Sequence, residues 1–224
     1  MSVRGEAVIE AEPELATLHI RVEAQAADQQ TALALLTERQ RTVSDLVKRF
    51  APGIERSETT GMHVYPELRD KKNEKVRRYA GSADTTVLVH DFGIVSDLLV
   101  AASAVELTSV RGPYWQLRPT SPVFREARIA AAADALTRAR DYAAAYGAEV
   151  LDLVQIADEG LSYERPPRPF HAAGQGQRVL LAAAVGEESI DLQPAKQQVT
   201  GRLEARFTLT QPDLRAVLPA PEHG

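Results

Sequence analysis

The sequence predicts an α+β fold in which helices pack on one face of an antiparallel sheet. Three patterns lead to this prediction: strands with alternating apolar residues, segments with apolar residues at helical spacing, and the order of the two. Over about residues 15–118 that order is strand, helix, strand, strand, helix, strand. This is the split β-α-β arrangement, and it forms an antiparallel sheet covered by two helices. Over the whole chain we expect the order β-β-α-β-β-α-β-α-β-β-β.

Two strands and a helix open the chain. Apolar and polar residues alternate over residues 3–11 and again over residues 16–23, with Pro13 between the two runs. A period of two predicts strands with one buried face and one solvated face. Asp28 is placed to cap a helix that runs to Phe50, and the sequence Ala51-Pro52-Gly53 is typical of a helix end.

A hairpin and a second helix follow. The two arms of the hairpin are predicted at residues 54–65 and 76–90, joined by residues 66–75. The second arm is rich in threonine and valine, which favour strands. A short helix is expected at residues 92–102, and a strand at residues 105–117 with an interruption at Gly112-Pro113.

A third, alanine-rich helix is predicted from Ser121-Pro122 to Tyr146, with Gly147 at its C-terminal end. One stripe at steps of three and four residues contains Phe124, Ala127, Ala131, Ala135, Ala139, Tyr142 and Tyr146. Small alanine side chains allow the helix to lie close to a sheet, and we expect the aromatic residues to fill the two ends of the contact. We also expect Ala135 and Leu136 to be buried.

The remaining segments are assigned by pattern. We expect strands at residues 150–156, 178–185 and 199–209, with a mobile proline- and glycine-containing loop at residues 161–177. Residues 1–211 are predicted to form a single domain, with a core at residues 15–118 and a helix with closing strands at residues 121–211. Residues 212–224 are expected to form a C-terminal tail.

Composition limits the class of protein. The 224 residues carry a formal net charge of −5 and include no cysteine, so disulfides and cysteine-bound metals are excluded and no general attraction for nucleic acid is expected. No apolar run approaches the roughly 20 residues that a membrane span needs. Residues 1–6 show neither the basic nor the apolar region of a signal peptide. We therefore expect a cytoplasmic protein without a membrane span.

No motif predicts a catalytic, metal or cofactor site. The five histidines form no His-x-x-x-His or His-Glu-x-x-His pair. We interpret His90-Asp91 as a strand-end histidine beside a helix-capping aspartate. Ser82 lacks the glycine-serine-glycine context of a nucleophile and is interpreted as an outward polar residue of a strand. The split β-α-β order also suggests RNA recognition as an alternative function, but no strand contains the aromatic motif that this function requires.

A basic cluster lies around the tip of the predicted hairpin. Its members, which we assign as candidate partner-contact residues, are Arg69, Lys71, Lys72, Lys75, Arg77 and Arg78. Such a cluster can bind an acidic protein partner. It is also typical of a solvated hairpin end whose lysines discourage edge-to-edge pairing, and we favour this second interpretation.

Four segments, in this order, resemble the SIMPL domain family, also called domain of unknown function family 541. They are Val3-Arg4-Gly5-Glu6-Ala7 with Pro13-Glu14-Leu15-Ala16, Thr59 to Pro66 with Tyr79-Ala80-Gly81-Ser82, the helix from Glu126 to Gly147, and the strand from Val199 to Leu209. The chain departs from the family pattern at Pro194-Ala195, where the family has a proline-glycine turn, and in its lack of a signal peptide.

The resemblance implies an α+β fold, no known enzymatic activity and, for bacterial members, homo-oligomers. It also implies roles in envelope and stress physiology for bacterial members and an adaptor role in kinase signalling for a vertebrate member. It supplies no catalytic residue. We therefore expect a non-enzymatic, oligomeric binding or scaffold module. The alternative is a hydrolase-like enzyme with a site near the 161–177 loop.

Overall fold

The computed structural model describes residues 1–68, 76–158 and 192–213. Seven strands and three α-helices lie in these ranges: β1 (Ser2–Ala11), β2 (Leu15–Ala26), α1 (Gln29–Arg49), β3 (Ile54–Leu68), β4 (Val76–Val89), α2 (Val95–Ser103), β5 (Thr108–Gln116), α3 (Pro122–Ala145), β6 (Val150–Asp158) and β7 (Gln197–Leu209). The α+β class is confirmed. Contacts divide the chain into two compact units, one from residues 12–118 with 185–197 and the other from residues 1–11, 119–184 and 198–224.

The unit around residues 12–118 has the predicted split β-α-β order. Its sheet has the strand order β3-β4-β2-β5, with β2 antiparallel to both β4 and β5. Alternate residues of β2, including Leu18, Ile20 and Val22, are fully buried in one core with Leu36 of α1 and Leu98 of α2. The apolar residues that recur with a period of two in the sequence therefore form the buried face of this strand.

The first helix begins where the sequence predicts. The Asp28 carboxylate accepts hydrogen bonds from the Thr31 backbone N–H and from the Thr31 hydroxyl, both at 2.8 Å. The first bond satisfies a backbone donor that a helix leaves free in its first turn, and the second holds the same carboxylate in place. They also hold the pKa of the Asp28 carboxyl below its ordinary value.

The second unit contains a separate sheet, with the strand order β1-β7-β6. Glu6 pairs with Arg202 and Glu10 with Gln198, so β1 and β7 run in opposite directions. We expected one sheet for both helices, and this expectation is wrong. The helix α1 packs on the four-stranded sheet, whereas α3 packs on the three-stranded sheet. The reason is that β1 pairs with β7, the last of the described strands, and local pattern does not identify this partner.

The alanine stripe of α3 is confirmed and lies against this sheet. Ala127, Ala131, Ala135, Ala139 and Ala143 are all buried. A Cβ atom added at Gly5 of β1 would lie 2.0 Å from the Ala131 carbonyl oxygen, and one at Gly201 of β7 would lie 2.1 Å from the Ala127 carbonyl oxygen. Glycine on the strands and alanine on the helix together permit this close approach.

The ends of the stripe differ from the prediction. Tyr142 and Tyr146 are exposed, because the buried stripe continues in steps of four residues to Ala143 and turns both tyrosines outward. Leu136 is half-buried and packs at the edge of the core. Gly147, with φ of 62°, follows the helix in the left-handed conformation, as predicted.

Several predictions fall outside the described residues. These are the loop at residues 161–177, the strand at residues 178–185, most of the hairpin tip, and the tail from residue 214 onward. That residues 1–211 form a single domain also stays a prediction.

Candidate functional site

The structure describes only the second-arm members of the basic cluster. Arg69, Lys71, Lys72 and Lys75 lie outside the described residues. Arg77 is exposed, and the Arg78 guanidinium forms an ion pair with the Glu67 carboxylate across the hairpin. Arg78 therefore already has an acidic partner within its own hairpin.

A polar cluster lies on the face of the four-stranded sheet opposite α1 and α2. The Ser82 hydroxyl is 2.9 Å from Nε2 of His63 and accepts a hydrogen bond from Nη2 of Arg21, also at 2.9 Å. Arg21 lies 3.7 Å from the Glu23 carboxylate and 3.9 Å from the Asp84 carboxylate. Ser82 is only 4% exposed, since side chains from both neighbouring strands cover it.

This cluster has the contact that a serine nucleophile needs, but the other groups are arranged differently. A nucleophilic serine hands its proton to a histidine that a third group orients. Among the described residues no carboxylate bonds to the His63 ring, which instead stacks on Tyr65 with a centroid distance of 6.4 Å. The Arg21 guanidinium also donates to the serine oxygen, which lowers its ability to attack. The cluster joins three strands of the sheet.

The interpretation of His90-Asp91 can be compared with the structure. Asp91 accepts a hydrogen bond from the Gly93 backbone N–H at 3.0 Å, so its capping role beside the exposed His90 is confirmed. His19, on the polar face of β2, lies 3.2 Å from the Thr86 hydroxyl. Among the described residues no three acidic or histidine side chains converge as a metal site.

Among the described strands, β6 is an outer strand of the three-stranded sheet, and it exposes apolar side chains. Leu151, Leu153, Val154 and Ile156 are each more than half exposed, from 55% to 58%. Large exposed apolar patches are typical of interaction surfaces, and among the described strands β6 is also an edge of its sheet.

A groove runs between α3 and β6. It consists of two cavities of about 400 and 330 Å³, which share the lining residues Ala132, Ile156 and Leu203. Leu203 and Phe207 of β7 are buried and form its floor. We call this the α3–β6 groove.

Charged residues lie at the two ends of the α3–β6 groove. At one end are Arg125 and Arg128 of α3 with Asp158 of β6, and at the other are Arg140 and Asp152. Arg125 and Arg128 are exposed and have no hydrogen bond or ion pair within the described ranges. The groove therefore has an apolar middle and a surplus of positive charge at one end.

Sequence reasoning missed the groove, although a signal for it existed. Residues 125, 129, 132, 136 and 140 recur at steps of three and four and form a second stripe on α3, beside the alanine stripe. Arginine occupies both ends of this second stripe, and isoleucine, alanine and leucine lie between the two arginines. Only the fold shows that this second stripe faces β6.

Within the described residues, every helix is too short or too polar to cross a bilayer. Among solved structures, the chain is similar to a putative amidohydrolase/peptidase from Burkholderia cenocepacia, at 15% identity and a TM-score of 0.26. The match covers 57% of this chain and about a third of that one, 33%. At this TM-score the similarity carries no argument.

Two curated proteins are similar in sequence, the 26 kDa periplasmic immunogenic proteins of Brucella melitensis and Brucella abortus. Each is 32% identical over 196 residues, which is 82% of this chain and 74% of the relative. Their names place them in the periplasm, so our expectation of a cytoplasmic protein is wrong. The expectation rested on residues 1–6, which show no signal-peptide pattern, and on the lack of cysteine, which is equally compatible with export.

The SIMPL family, described as a protein of unknown function (DUF541), matches residues 1–207. Those residues contain the first three segments that carry the resemblance and the fourth as far as Phe207, in the same order. The chain belongs to the SIMPL family.

Proposed function

We propose that this protein is a non-enzymatic binding or scaffold module that acts as a homo-oligomer in the periplasm. The observation that carries the proposal is the exposed apolar strand β6 at the rim of its sheet. The periplasmic location follows the names of the two Brucella relatives.

Strand edges are the surfaces that we expect to meet in the oligomer. In the part of the chain that the structure describes, both β1 and β6 are outer strands of the three-stranded sheet, and each exposes large apolar residues, such as Val8 and Val154. Pairing of one edge with the edge of a second copy would satisfy backbone donors and acceptors and bury those side chains. We expect most of the association energy to come from this apolar burial.

Charged hairpin residues would contribute orientation to the assembly. The basic cluster at residues 69–78 is suited to an acidic surface, either of a second copy or of an acidic protein partner. Because such contacts lie at the rim, salt screens them and they add little to affinity. Edge burial should therefore persist at high salt.

The enzyme alternative lacks support from the described residues. Its site, near residues 161–177, lies outside them. The serine–histidine contact on the four-stranded sheet lacks an orienting carboxylate, and the family is described as one of unknown function.

Light scattering of the intact protein at low and high salt tests the proposal. We expect an oligomer at micromolar concentration under both conditions, and Val154→Lys should shift it toward the monomer. Val100→Lys is the matched control, since Val100 is exposed to a similar degree, 53% against 57%, on α2. A wild-type monomer under both conditions contradicts the proposal, as does equal behaviour of the two variants.

A further inference from the structure

The α3–β6 groove has the dimensions of a ligand site. Small-molecule pockets in proteins occupy about 300 to 1,000 Å³ and are mostly apolar with a few polar groups. The two cavities, at about 400 and 330 Å³, lie end to end and share three lining residues. The groove is therefore elongated, and a ligand that fills it must be long and narrow.

The middle of the groove is suited to an alkyl chain. Ile129, Ala132 and Leu136 of α3 line one side, and Leu153 and Ile156 of β6 line the other. The exposed fraction of Ile129 is 52% and that of Leu153 is 55%. Covering such side chains with methylene groups is favourable, at about 25 cal/mol for each Å² of apolar surface removed from water.

The charges select the head group of such a ligand. Arg125 and Arg128 lie one helical turn apart at one end of the groove, together with one carboxylate, Asp158. Arg202 lines the same end, but its guanidinium donates to the Glu6 carboxylate at 2.9 and 3.0 Å. Among the described residues, one positive charge is thus in excess at this end, and guanidinium groups favour carboxylate partners.

The other end of the groove carries no such excess. Arg140 and Asp152 both line it, and their charges offset each other. The distance from Arg125 to Arg140 along the helix is about 22 Å, at about 1.5 Å per residue. A ligand with one anionic group and one long apolar chain matches this asymmetry.

We infer that the α3–β6 groove binds a free long-chain monocarboxylate. Its carboxylate is held by Arg125 and Arg128, and its alkyl chain lies between α3 and β6 over Leu203. This goes beyond the scaffold proposal and does not depend on it, because Val154, on which the assembly test rests, does not line the groove.

The test uses the intact protein and a dansyl-labelled long-chain carboxylate below its micelle-forming concentration. We expect saturable binding that laurate displaces and that rising salt weakens. Dodecyltrimethylammonium, which has a chain of the same length and a cationic head, should fail to displace the probe.

Two variants locate the site. Arg125→Gln with Arg128→Gln should weaken binding about tenfold or more, since it removes charge-assisted hydrogen bonds. Ala132→Phe keeps every charge but fills the point that the two cavities share, and should abolish binding. Arg138→Gln is the control on the same helix, because Arg138 is paired with Asp134 at 2.8 Å and does not line the groove.

The outcomes separate this inference from its competitors. Circular dichroism and thermal unfolding establish that each variant is folded. Lack of saturable binding by the intact protein overturns the inference, as does binding that both groove variants leave unchanged. If the probe does not bind and Ala132→Phe dissociates an oligomer, the groove is instead a contact between copies of this chain.

Discussion

The two sheets of this chain differ in how completely helices cover them. In the four-stranded sheet, α1 and α2 cover a core in which Leu18 and Ile20 are buried. In the three-stranded sheet, α3 packs on β1 and β7, while Leu153 of β6 stays exposed.

Simple geometry explains the difference. A helix is about 10 Å wide and strands lie about 4.8 Å apart, so one helix covers roughly two strands. Within the described ranges, two helices therefore suffice for four strands, whereas one helix leaves one strand of three uncovered. The alanine stripe strengthens this effect, because small side chains bring α3 close to the sheet without extending over β6. An uncovered strand beside a helix is where a binding surface is expected.

The largest effect is expected from a charge placed under the alanine helix. Ala135 lies on the face of α3 that packs on the sheet and is 1% exposed. Ala135→Glu therefore buries a carboxylate without a partner and overpacks the contact between helix and sheet. We expect a loss of at least about 3 kcal/mol in the free energy of unfolding, measured by urea denaturation.

The control for this prediction is Ala133→Glu. Ala133 is exposed on the same helix, and we expect its substitution to change stability by less than about 0.5 kcal/mol. Equal losses for the two variants would mean that the alanine stripe does not define the buried side of α3.

A pair of leucines measures the difference in coverage directly. Leu18 is 0% exposed in the four-stranded sheet, whereas Leu153 is 55% exposed in the three-stranded one. Leu18→Ala should cost about 2 to 5 kcal/mol of unfolding free energy through the cavity that it leaves. Leu153→Ala should cost less than about 1 kcal/mol, because solvent already reaches the side chain.

Both leucine variants are measured by denaturation at a concentration where the protein is monomeric, so that association does not contribute to stability. A loss at Leu153 as large as that at Leu18 would show that β6 is covered in the intact monomer, and the comparison between the sheets would fail.

Features that depend on neighbouring residues were predictable from the sequence. The caps of two helices, Asp28 and Ser121, follow from residue type and position. The alanine stripe of α3 follows from spacing, and the split β-α-β order follows from the succession of patterns. In each case the physics is local, since the hydrogen bonds or side chains involved are a few residues apart.

Features that depend on distant parts of the chain were not predictable. Met1 pairs with Phe207, a separation of 206 residues, and this pairing creates the second sheet. An apolar strand such as β6 is expected to be buried, but its exposure depends on how many helices its sheet carries. Likewise, Ser82 lies at an outward position and is nevertheless covered by Arg21 and His63.

The smallest expected effect concerns how the first helix of each unit begins. Asp28 caps α1 with a carboxylate, whereas Ser121 caps α3 with a hydroxyl that accepts from the Val123 backbone N–H at 3.4 Å. The hydrogen bonds from Thr31 lower the pKa of Asp28 in the folded protein. The stabilisation is therefore fully present above the pKa that Asp28 has in the unfolded chain, and it is lost as the pH falls through the lower, folded pKa. Asp28→Ser replaces this cap with one that does not titrate. Relative to Asp28→Ser, the wild type should lose stability as the pH is lowered from neutral toward the folded pKa, as followed by urea denaturation.

Ser121→Asp is the reciprocal variant and should introduce acid sensitivity at α3, since a carboxylate would then accept the bond from Val123. If the wild type and Asp28→Ser respond identically to acid, the carboxylate does not stabilise α1, and the two helix starts do not differ.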